Sequence, residues 1–424
     1  MIIYTAQSGD TLYSIARRYG VTLSELERYN GLPDSSRIAI GQDILIPSNN
    51  NTYIVRPGDS VYSIAVKEGV STADILRENP SLTEPYTIYP GQVLLIPKDE
   101  ANKKTIDVNG YCYPNINRDI LRQTLPYLTF LSIFSYSALA DGNLSGINDE
   151  ELIRIAKEFR TAPVMVVTNT VEGSGFDSDL ARTILTNSAV RSTLISNIVS
   201  TARSKGYSGV DIDFEYIYPS NRTDYNNFLT ELKAALTPYN LSLSTAIAPK
   251  LSATQVGTLY EAHDYAFHGK VADRVIIMTY EWGYLYGPPL AVAPYSEVKK
   301  VISYAVTEMP SEKILMGMPN YGYDWTLPYR EGTAADILSI NSAMLRAVNE
   351  NANIEYNESS EAPFFEYTKD GQNHIVWFEN ARSTMARLEL INDYNLGGVS
   401  YWTIGSLFTQ NWRIIDSMFN IRKL

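Results

Sequence analysis

Three acidic side chains alternate with apolar ones in the segment GVDIDFEY, residues 209–216. On a β-strand, Asp211, Asp213 and Glu215 would share one face, and the apolar residues between them would face the other way. Three carboxyl groups in one row cannot all ionise comfortably, so at least one proton should be shared within the row. The row therefore predicts a carboxylic acid of raised pKa, suited to proton transfer near neutral pH. A solvated acidic strand edge is the alternative, but it would leave the apolar residues exposed as well.

Eight short apolar runs, separated by helical stretches, indicate a series of βα units. The runs are IDVNGYCY (106–113), YLTFLSIFSY, APVMVVTNT, GVDIDFEY, LSLSTAIAP, RVIIMTYEW, KILMGMPNY and GGVSYWTIG. Such alternation predicts an α/β fold with a parallel sheet. Residues 105–424 have the length of a (β/α)8 TIM barrel with a small α+β insertion, placed at about 326–380. Active sites in these barrels lie at the carboxyl ends of the strands, so Glu215 should lie nearest the mouth.

Two sequence repeats precede this region. GDTLYSIARRYGV (9–21) matches GDSVYSIAVKEGV (58–70), and GQDILIP (41–47) matches GQVLLIP (91–97). Each repeat is predicted to fold as a small βααβ domain, over residues 1–48 and 52–98. The segments PSNNNT (47–52) and PKDEANKKT (97–105) are polar and are typical of linkers. The linkers predict that the repeats and the barrel have separate cores, so that the barrel folds without residues 1–97.

The two repeats resemble LysM modules, through the GD-[TS]-[LV]-x-x-IA pattern and the closing LIP. The resemblance implies binding to the N-acetylglucosamine backbone of peptidoglycan or chitin. Helix capping alone is an alternative role for the two aspartates in these loops. The glycan-contacting positions that the resemblance implies are Gly9, Asp10 and Thr11, with Gly58, Asp59 and Ser60 as their counterparts.

The acidic segment resembles the DxxDxDxE signature of glycoside hydrolase family 18, the chitinase family. The pattern maps onto Ser208, Asp211, Asp213 and Glu215, so serine replaces the first aspartate. The resemblance implies that this replacement alters proton sharing in the row without removing the acid.

Other segments resemble the same family in the order of its strands. In MTYEW (278–282), Tyr280 matches a substrate-binding tyrosine and Glu281 replaces the usual aspartate. GGVSYWTIG (397–405) resembles the last barrel strand, whose tryptophan, here Trp402, forms the floor of the central sugar site. MGMPNYGYDW (316–325) resembles the strand before the insertion, and FSYS (134–137) would place Tyr136 near the site. For any one aromatic residue, core packing is the alternative. The candidates for substrate contact are Trp402, Tyr136, Asn169, Glu281, Tyr321 and Trp325.

The family resemblance implies substrate-assisted glycoside hydrolysis with retention of configuration. Glu215 would protonate the glycosidic oxygen and then act as base toward water. The nucleophile would be the 2-acetamido carbonyl of the substrate, with Asp213 holding the acetamido N–H and Tyr280 bonding the carbonyl side. This chemistry requires neither a cofactor nor a metal.

Composition restricts the partners and the location. A net charge of −12 disfavours nucleic acid and anionic membranes. Cys112 is the only cysteine, so no internal disulfide is expected, and three histidines predict no zinc site. The N-terminus has no signal-peptide pattern, and no apolar run is long enough to span a membrane. We expect a monomer.

Two LysM repeats, a family 18 barrel and the absence of an export signal together resemble the spore cortex-lytic N-acetylglucosaminidases. This resemblance implies action in the coat and cortex region of a bacterial spore. A chitinase and a non-catalytic wall-binding lectin are the alternatives. Lectin-like members of the family usually lack the glutamic acid, and Glu215 is present.

Overall fold

A closed barrel of eight parallel strands forms the larger part of the molecule. The computed structural model describes residues 1–32, 37–47, 51–80, 82–96 and 103–424. The first seven barrel strands are β5 Thr105–Cys112, β6 Phe130–Ser137, β7 Ala162–Thr168, β10 Gly209–Asp213, β11 Ser242–Ile247, β12 Arg274–Ile277 and β13 Ile314–Pro319. A short hairpin outside the barrel, β8 Thr170–Val171 and β9 Gly175–Phe176, follows β7. The last barrel strand, Gly398–Trp402, pairs with both β13 and β5 and closes the ring. The predicted TIM barrel is confirmed.

Helices cover the outside of the barrel. They are α5 Arg118–Thr124, α6 Glu150–Glu158, α7 Ser178–Thr186, α8 Ser188–Lys205, α9 Arg222–Leu236, α10 Tyr265–Val271 and α11 Tyr295–Glu308. Three more helices follow, α12 Ile340–Asn349, α13 Ala381–Asp393 and α14 Thr409–Met418.

The alternation in GVDIDFEY gives β10 an apolar outer face. Val210, Ile212 and Phe214 are fully buried. The ring of Phe214 stacks on Phe228 and Tyr225 of α9, with centroids 5.6 and 6.1 Å apart. Because side chains alternate along a strand, this outward packing directs the aspartates into the barrel.

An antiparallel sheet with one helix interrupts the barrel after β13. Its strands are β14 Gly322–Leu327, β15 Asp336–Leu338, β16 Glu355–Asn357, β17 Ala362–Lys369 and β18 Gln372–Trp377, and α12 packs within the same unit. The sheet begins at Gly322, four residues before the estimated start at 326, since β14 follows β13 after two residues. Strands β17 and β18 form the hairpin expected from FFEYTKDGQNHIVWFE, and they meet at Asp370 and Gly371, which both have positive φ. The last barrel strand is β19, Gly398–Trp402, and β20, Asn420–Ile421, extends β5 near the C-terminus.

Each N-terminal repeat has the predicted βααβ order. The first contains β1 Ile2–Thr5, α1 Leu12–Tyr19, α2 Leu23–Asn30 and β2 Asp43–Ile46, and the second contains β3 Asn51–Ile54, α3 Val61–Glu68, α4 Thr72–Glu78 and β4 Val93–Ile96. The two strands of each repeat pair antiparallel. Buried Asn30 and Asn79 close the two units in the same way, because each side chain bonds the backbone at the end of a helix and in the closing strand.

The second repeat is joined to the barrel by buried ion pairs. Arg413 of α14 donates to Glu78 of α4 over 2.8 Å, and both side chains are almost completely buried. Nearby, Arg77 is paired with Asp416 at 2.8 Å, and its carbonyl accepts the Tyr127 hydroxyl. Glu78 and Arg413 are thus withdrawn from water at the boundary between the repeat and the barrel.

The first repeat packs on the barrel as closely. Asp43 of β2, whose side chain has no exposed surface, is paired with Arg382 of α13 at 3.0 Å. Gln410 of α14 donates to Asn30 at 2.8 Å, and Leu45 belongs to the same apolar core as the barrel residues. Each repeat has an apolar core of its own, as expected, and α2 and α4 in addition bury their outer surfaces against the barrel helices. Folding of the barrel without residues 1–97 stays a prediction. Polar linkers indicate where a chain connects, but they do not show whether the connected units pack together.

Two further features bear on accessibility. None of the helices in the described parts of the chain is long and apolar enough to cross a membrane. Cys112 ends β5 and is completely buried, and burial raises the pKa of its thiol to about 12.

Candidate active site

A cavity of about 530 Å³ opens at the carboxyl ends of the barrel strands. Its walls combine carboxyl groups with aromatic rings, which is the composition expected of a site for sugar rings and acid–base chemistry. The lining residues that matter most for the chemistry are Asp213, Glu215, Tyr280, Glu281, Trp402 and Phe134.

Asp211 lies at the base of the acidic row and is fully buried. The Tyr111 hydroxyl donates to one of its oxygens at 2.6 Å, and the Ser244 hydroxyl donates to the other at 2.7 Å. Burial raises the pKa of Asp211, and these two hydrogen bonds oppose the rise. Asp211 is therefore held in place by neighbouring strands and has no direct opening to the cavity mouth.

Asp213 stands between the other two acids and lines the cavity. It is 4% exposed, and its Oδ1 has no hydrogen-bond partner among the described residues. The pKa of Asp213 is raised well above its usual range, first by burial and then by the charges of Glu215 and Asp211. An acceptor atom without a partner, aimed into a closed cavity, is suited to a donor on the substrate.

Glu215 is the acid nearest the mouth. Burial raises its pKa to about 7, and the charge of Glu281 adds to the rise. A carboxylic acid with this pKa is substantially protonated at neutral pH and can both give and take a proton. These are the properties of the general acid that the alternating pattern predicts.

Asn169 holds the backbone of Glu215 and does not face the cavity. Its Oδ1 accepts from the Glu215 N–H at 2.9 Å, and its Nδ2 donates to the Glu215 carbonyl at 2.9 Å. The side chain is completely buried. The expectation that Asn169 contacts substrate is corrected, because both ends of its amide are engaged by protein backbone.

Trp402 and Phe134 form one aromatic wall of the cavity. Their rings meet edge to face with centroids 4.9 Å apart, and Tyr111 packs against Trp402 at 5.5 Å. Trp402 was predicted from the last strand, whereas Phe134 and Tyr111 were not. Alternation in IDVNGYCY would have indicated Tyr111, because Asp107, Asn109 and Tyr111 fall on one face of β5.

Tyr136 lies outside the cavity. Its hydroxyl donates to Asp149, and its side chain is 2% exposed beside Tyr207. The pairing of β6 with β7 shifts register between Ile133 and Tyr136, so the regular alternation of faces is lost there. The segment FSYS therefore contributes Phe134 to the cavity, and the expectation for Tyr136 is corrected.

Tyr280 and Glu281 line the side of the cavity formed by the segment after β12. Burial, followed by the charges of Asp213 and Glu215, raises the pKa of Tyr280 well above its usual range. Glu281 has a positive φ of 67° and accepts from the Tyr323 hydroxyl at 3.0 Å and from the Tyr321 hydroxyl. Tyr321 thus acts on the cavity through Glu281.

Trp325 is buried between the sheet of the insertion and the segment after β12. It is 1% exposed, its Nε1 donates to the Gly287 carbonyl at 2.9 Å, and its ring packs 5.4 Å from Tyr323. The expectation that Trp325 contacts substrate is corrected, because Trp325 lies in β14 and its ring is buried against the segment after β12.

Ser208 immediately precedes β10 and is exposed at the opposite end of the barrel from the mouth. Its N–H donates to the Pro163 carbonyl at 2.8 Å. The acidic row thus consists of three carboxyl groups, and hydroxyls from β5 and β11 bond its lowest member.

The aspartates of the repeat loops brace those loops and do not cap the helices. Asp10 accepts from the Gln7 N–H at 2.9 Å and from Tyr4, and Asp59 makes the corresponding bonds in the second repeat. Thr11 and Ser60 are the capping residues. The capping alternative for the aspartates is wrong, and a glycan role stays a prediction. Gly9 and Gly58 turn the two loops with φ of 84° and 88°.

A second cavity, of about 320 Å³, connects the first repeat with the insertion. Asp10 and Thr11 line it from one side, residues 37–40 border it, and residues 347–353 of the insertion close it from the other side. The Ile354 N–H donates to the Ile40 carbonyl at 2.8 Å. The predicted glycan loop of the first repeat therefore faces the insertion.

No cluster of three or more His, Cys, Asp or Glu side chains that could hold a metal occurs in the described part of the chain. The carboxyl groups of the row are close to one another, but Asp211 is engaged by two hydroxyl donors and its neighbours have raised pKa values. The site has the character of a proton-transfer centre.

Replacing Glu281 by Gln should move the basic limb of the pH–rate profile to lower pH. The negative charge of Glu281 raises the pKa of Glu215, so its removal lowers that pKa and the acid loses its proton earlier as pH rises. The profile of kcat/KM against pH measures this limb. Glu281→Asp keeps the charge and is the matched control, and an unchanged limb in Glu281→Gln would contradict the coupling.

The comparisons with known proteins agree with this geometry. The model of glycosyl hydrolases family 18 matches residues 121–406, and the LysM domain model matches residues 4–47 and 53–97. This chain belongs to glycosyl hydrolase family 18. Within the family, it is 42% identical over 431 residues to the cortical fragment-lytic enzyme of Bacillus subtilis (strain 168), covering 100% of the chain and 99% of the relative. It is 39% identical to the enzyme of the same name from Bacillus anthracis, over 99% of each chain.

A solved structure has the same arrangement over its whole length. The spore cortex-lytic enzyme SleL of Bacillus megaterium QM B1551 superposes with a TM-score of 0.85 at 38% identity, covering 100% of this chain and 99% of the other. A chitinase from Chromobacterium violaceum ATCC 12472 superposes with a TM-score of 0.69 at 26% identity over 73% of this chain. The first of these likenesses includes both repeats and the insertion.

Proposed function

We propose that this chain is a retaining N-acetylglucosaminidase that cleaves the β-1,4 glycan backbone of spore cortex peptidoglycan, using the substrate's acetamido group as nucleophile. It would act on cortex fragments in the coat and cortex region of the spore. The full-length likeness to cortical fragment-lytic enzymes supports cortex as the polymer. Chitin is the alternative polymer, with the same chemistry.

The state of the Asp213 and Glu215 pair is the observation that carries the proposal. Glu215 has a pKa of about 7 and stands at the mouth, whereas Asp213 is buried beside it with an acceptor oxygen that has no protein partner. Burial and the charge of Glu215 both raise the pKa of Asp213, so Asp213 does not ionise independently of Glu215. A two-carboxylate mechanism needs a second acid that is free to attack or to activate water. The pair is therefore better suited to a nucleophile supplied by the substrate.

The reaction then follows from these positions. Glu215 gives its proton to the glycosidic oxygen as the bond from C1 to that oxygen breaks, and the acetamido carbonyl oxygen bonds to C1. Asp213 accepts the acetamido N–H and offsets the positive charge of the oxazolinium ion, and the Tyr280 hydroxyl donates to the carbonyl side. Glu215, now ionised, removes a proton from water, and the water oxygen bonds to C1 on the face that the leaving group occupied as the bond from C1 to the acetamido oxygen breaks. Configuration is retained, and the new reducing end is N-acetylglucosamine.

A thiazoline analogue of N-acetylglucosamine should inhibit competitively. The analogue mimics the cyclised intermediate, and species of this kind bind more tightly than ground-state sugar, here by about 10²-fold or more. Asp213→Asn should weaken the inhibitor as well as slow turnover, because the same contact holds both. Inhibition constants against a fluorogenic chitobioside measure the effect, with free N-acetylglucosamine as the ground-state reference.

Two results would contradict the mechanism. One is a covalent glycosyl ester trapped on Asp213 or another carboxylate. The other is efficient cleavage of a substrate whose reacting sugar carries a plain 2-hydroxyl. The polymer is tested separately, by incubation with cortex fragments and with chitin oligomers and by identification of the new reducing ends. Faster release from chitin than from cortex would leave the mechanism intact and replace the polymer.

A further inference from the structure

The backbone that carries Glu215 has left the barrel sheet. Strand β10 ends at Asp213, which pairs with Thr168 of β7, and its pairing with β11 ends one residue earlier at Ile212. Phe214 and Glu215 therefore have no neighbouring strand to bond their peptide groups. Buried peptide groups without partners are costly, so other atoms must replace the strand pairing.

Asn169 replaces the pairing on the β7 side. It follows Thr168 directly, and its amide bonds both the N–H and the carbonyl of Glu215 at 2.9 Å each. Its Nδ2 also donates to the Asp177 carbonyl at 3.0 Å, which ties this arrangement to the loop before α7. The side chain therefore provides Glu215 with a donor and an acceptor, as a neighbouring strand would.

His263 replaces the pairing on the β11 side. The Ala248 N–H donates to its Nδ1 at 2.9 Å, so the ring proton lies on Nε2, which donates to the Phe214 carbonyl at 3.0 Å. Burial lowers the pKa of His263 to about 4, and the ring stays neutral at the pH of the reaction. The ammonium of Lys250 donates to the His263 carbonyl at 3.1 Å and holds this segment from behind.

We propose that Asn169 and His263 are positioning residues that together fix the Glu215 carboxyl group at its distance from the glycosidic oxygen. The inference rests on the proposed role of Glu215 as general acid. Two side chains from different loops bond consecutive peptides of one short segment, and neither side chain lines the cavity. They therefore affect the rate through Glu215, without touching substrate.

Loss of this support should lower kcat with little change in KM. In Asn169→Ala, we expect kcat to fall about 10–10²-fold, the loss typical of a catalytic group misplaced by about an ångström. KM should change less than about 3-fold, because the aromatic walls that hold the sugar are untouched. The basic limb of the profile of kcat against pH should also move. Burial raises the pKa of Glu215, so a displaced carboxyl group with a different exposure to water has a different pKa. Steady-state rates on a soluble chitooligosaccharide measure these quantities.

Asn79→Ala provides a matched control for general destabilisation. Asn79 is equally buried and bonds two carbonyls and one N–H of its own repeat, at 2.7, 2.8 and 3.0 Å. The Asn79→Ala substitution removes a similar set of hydrogen bonds far from the cavity. It should therefore lower the melting temperature about as much as Asn169→Ala does, and leave kcat within about 2-fold of the wild type. Equal kcat in Asn79→Ala and Asn169→Ala would overturn the inference.

His263 provides an independent pair of variants if Asn169→Ala does not fold. The amide of His263→Gln can still donate to the Phe214 carbonyl, whereas His263→Ala has no donor. We expect His263→Gln to keep more than half of wild-type kcat and His263→Ala to lose most of it. Equal rates in the two variants would contradict the positioning role. If Glu215→Gln itself were active, the proposed function would fail, and that outcome is separate from a failure of Asn169 and His263.

Discussion

Glu215→Gln should lose about 10²–10⁴-fold or more in turnover, with the fold and sugar binding preserved. Glutamine has the same shape but cannot give a proton to the glycosidic oxygen or take one from water. Glu215 combines a pKa of about 7 with a position at the cavity mouth, and no other carboxyl group of the row has both properties. Release of reducing ends from a soluble oligosaccharide measures turnover, and inhibitor titration measures binding.

The control for this substitution is Glu281→Gln, which removes a carboxylate from the same cavity. Its loss of turnover at the optimal pH should be much smaller, because Glu281 influences the proton on Glu215 and does not transfer one itself. A Glu215→Gln variant that retained more than a tenth of wild-type turnover would place the acid at another residue.

Glu78→Ala should lower the free energy of unfolding by about 3–5 kcal/mol. The substitution removes the carboxylate that pairs with Arg413 and leaves the guanidinium buried at the junction between the second repeat and the barrel. Breaking one side of a buried ion pair is costly for this reason. Urea unfolding monitored by tryptophan fluorescence measures the change.

The double variant Glu78→Leu with Arg413→Met distinguishes the cost of an unpaired buried charge from the effect of changed packing around the pair. With both charges replaced by apolar groups of similar size, most of the lost stability should return. A single Glu78→Ala variant as stable as the wild type would contradict the tight packing of the repeat on the barrel. Deletion of residues 1–97 would also remove the partners of Gln410 and Arg413 on α14, so a loss of wall binding in the truncated protein would not by itself show that the repeats bind glycan.

The sequence predicts the parts of this fold that depend on local alternation. The inward placement of Asp211 and Asp213 follows from the period of a strand, and the eight apolar runs correspond to the eight barrel strands. Alternation fails where a strand ends or bulges. Because β10 ends at Asp213, Asn169 bonds the backbone of Glu215 and does not face the cavity. Because the register of β6 shifts, Phe134 lines the cavity and Tyr136 does not. Neither the end of β10 nor the register shift of β6 can be recognised from the order of apolar and polar residues.

Contacts between distant segments are the other part that the sequence does not contain. Glu78 and Arg413 are 335 positions apart, and each alone resembles an ordinary surface charge. Trp325 looks like an aromatic residue near the site until the chain is seen to enter the insertion at Gly322. These features depend on how the units pack, which spacing within one segment cannot specify.

Because Cys112 is buried, the reactivity of its thiol can be used to measure opening of the barrel. This is the only thiol in the chain, it has no exposed surface, and it ends a strand that pairs with the strands on both sides. A thiol reagent can therefore modify the native protein only through openings that release β5. When closing is faster than modification, the ratio of the labelling rate to that of an unprotected thiol gives the free energy of that opening. The opening of the barrel can thus be followed in the unmodified sequence, without an introduced probe.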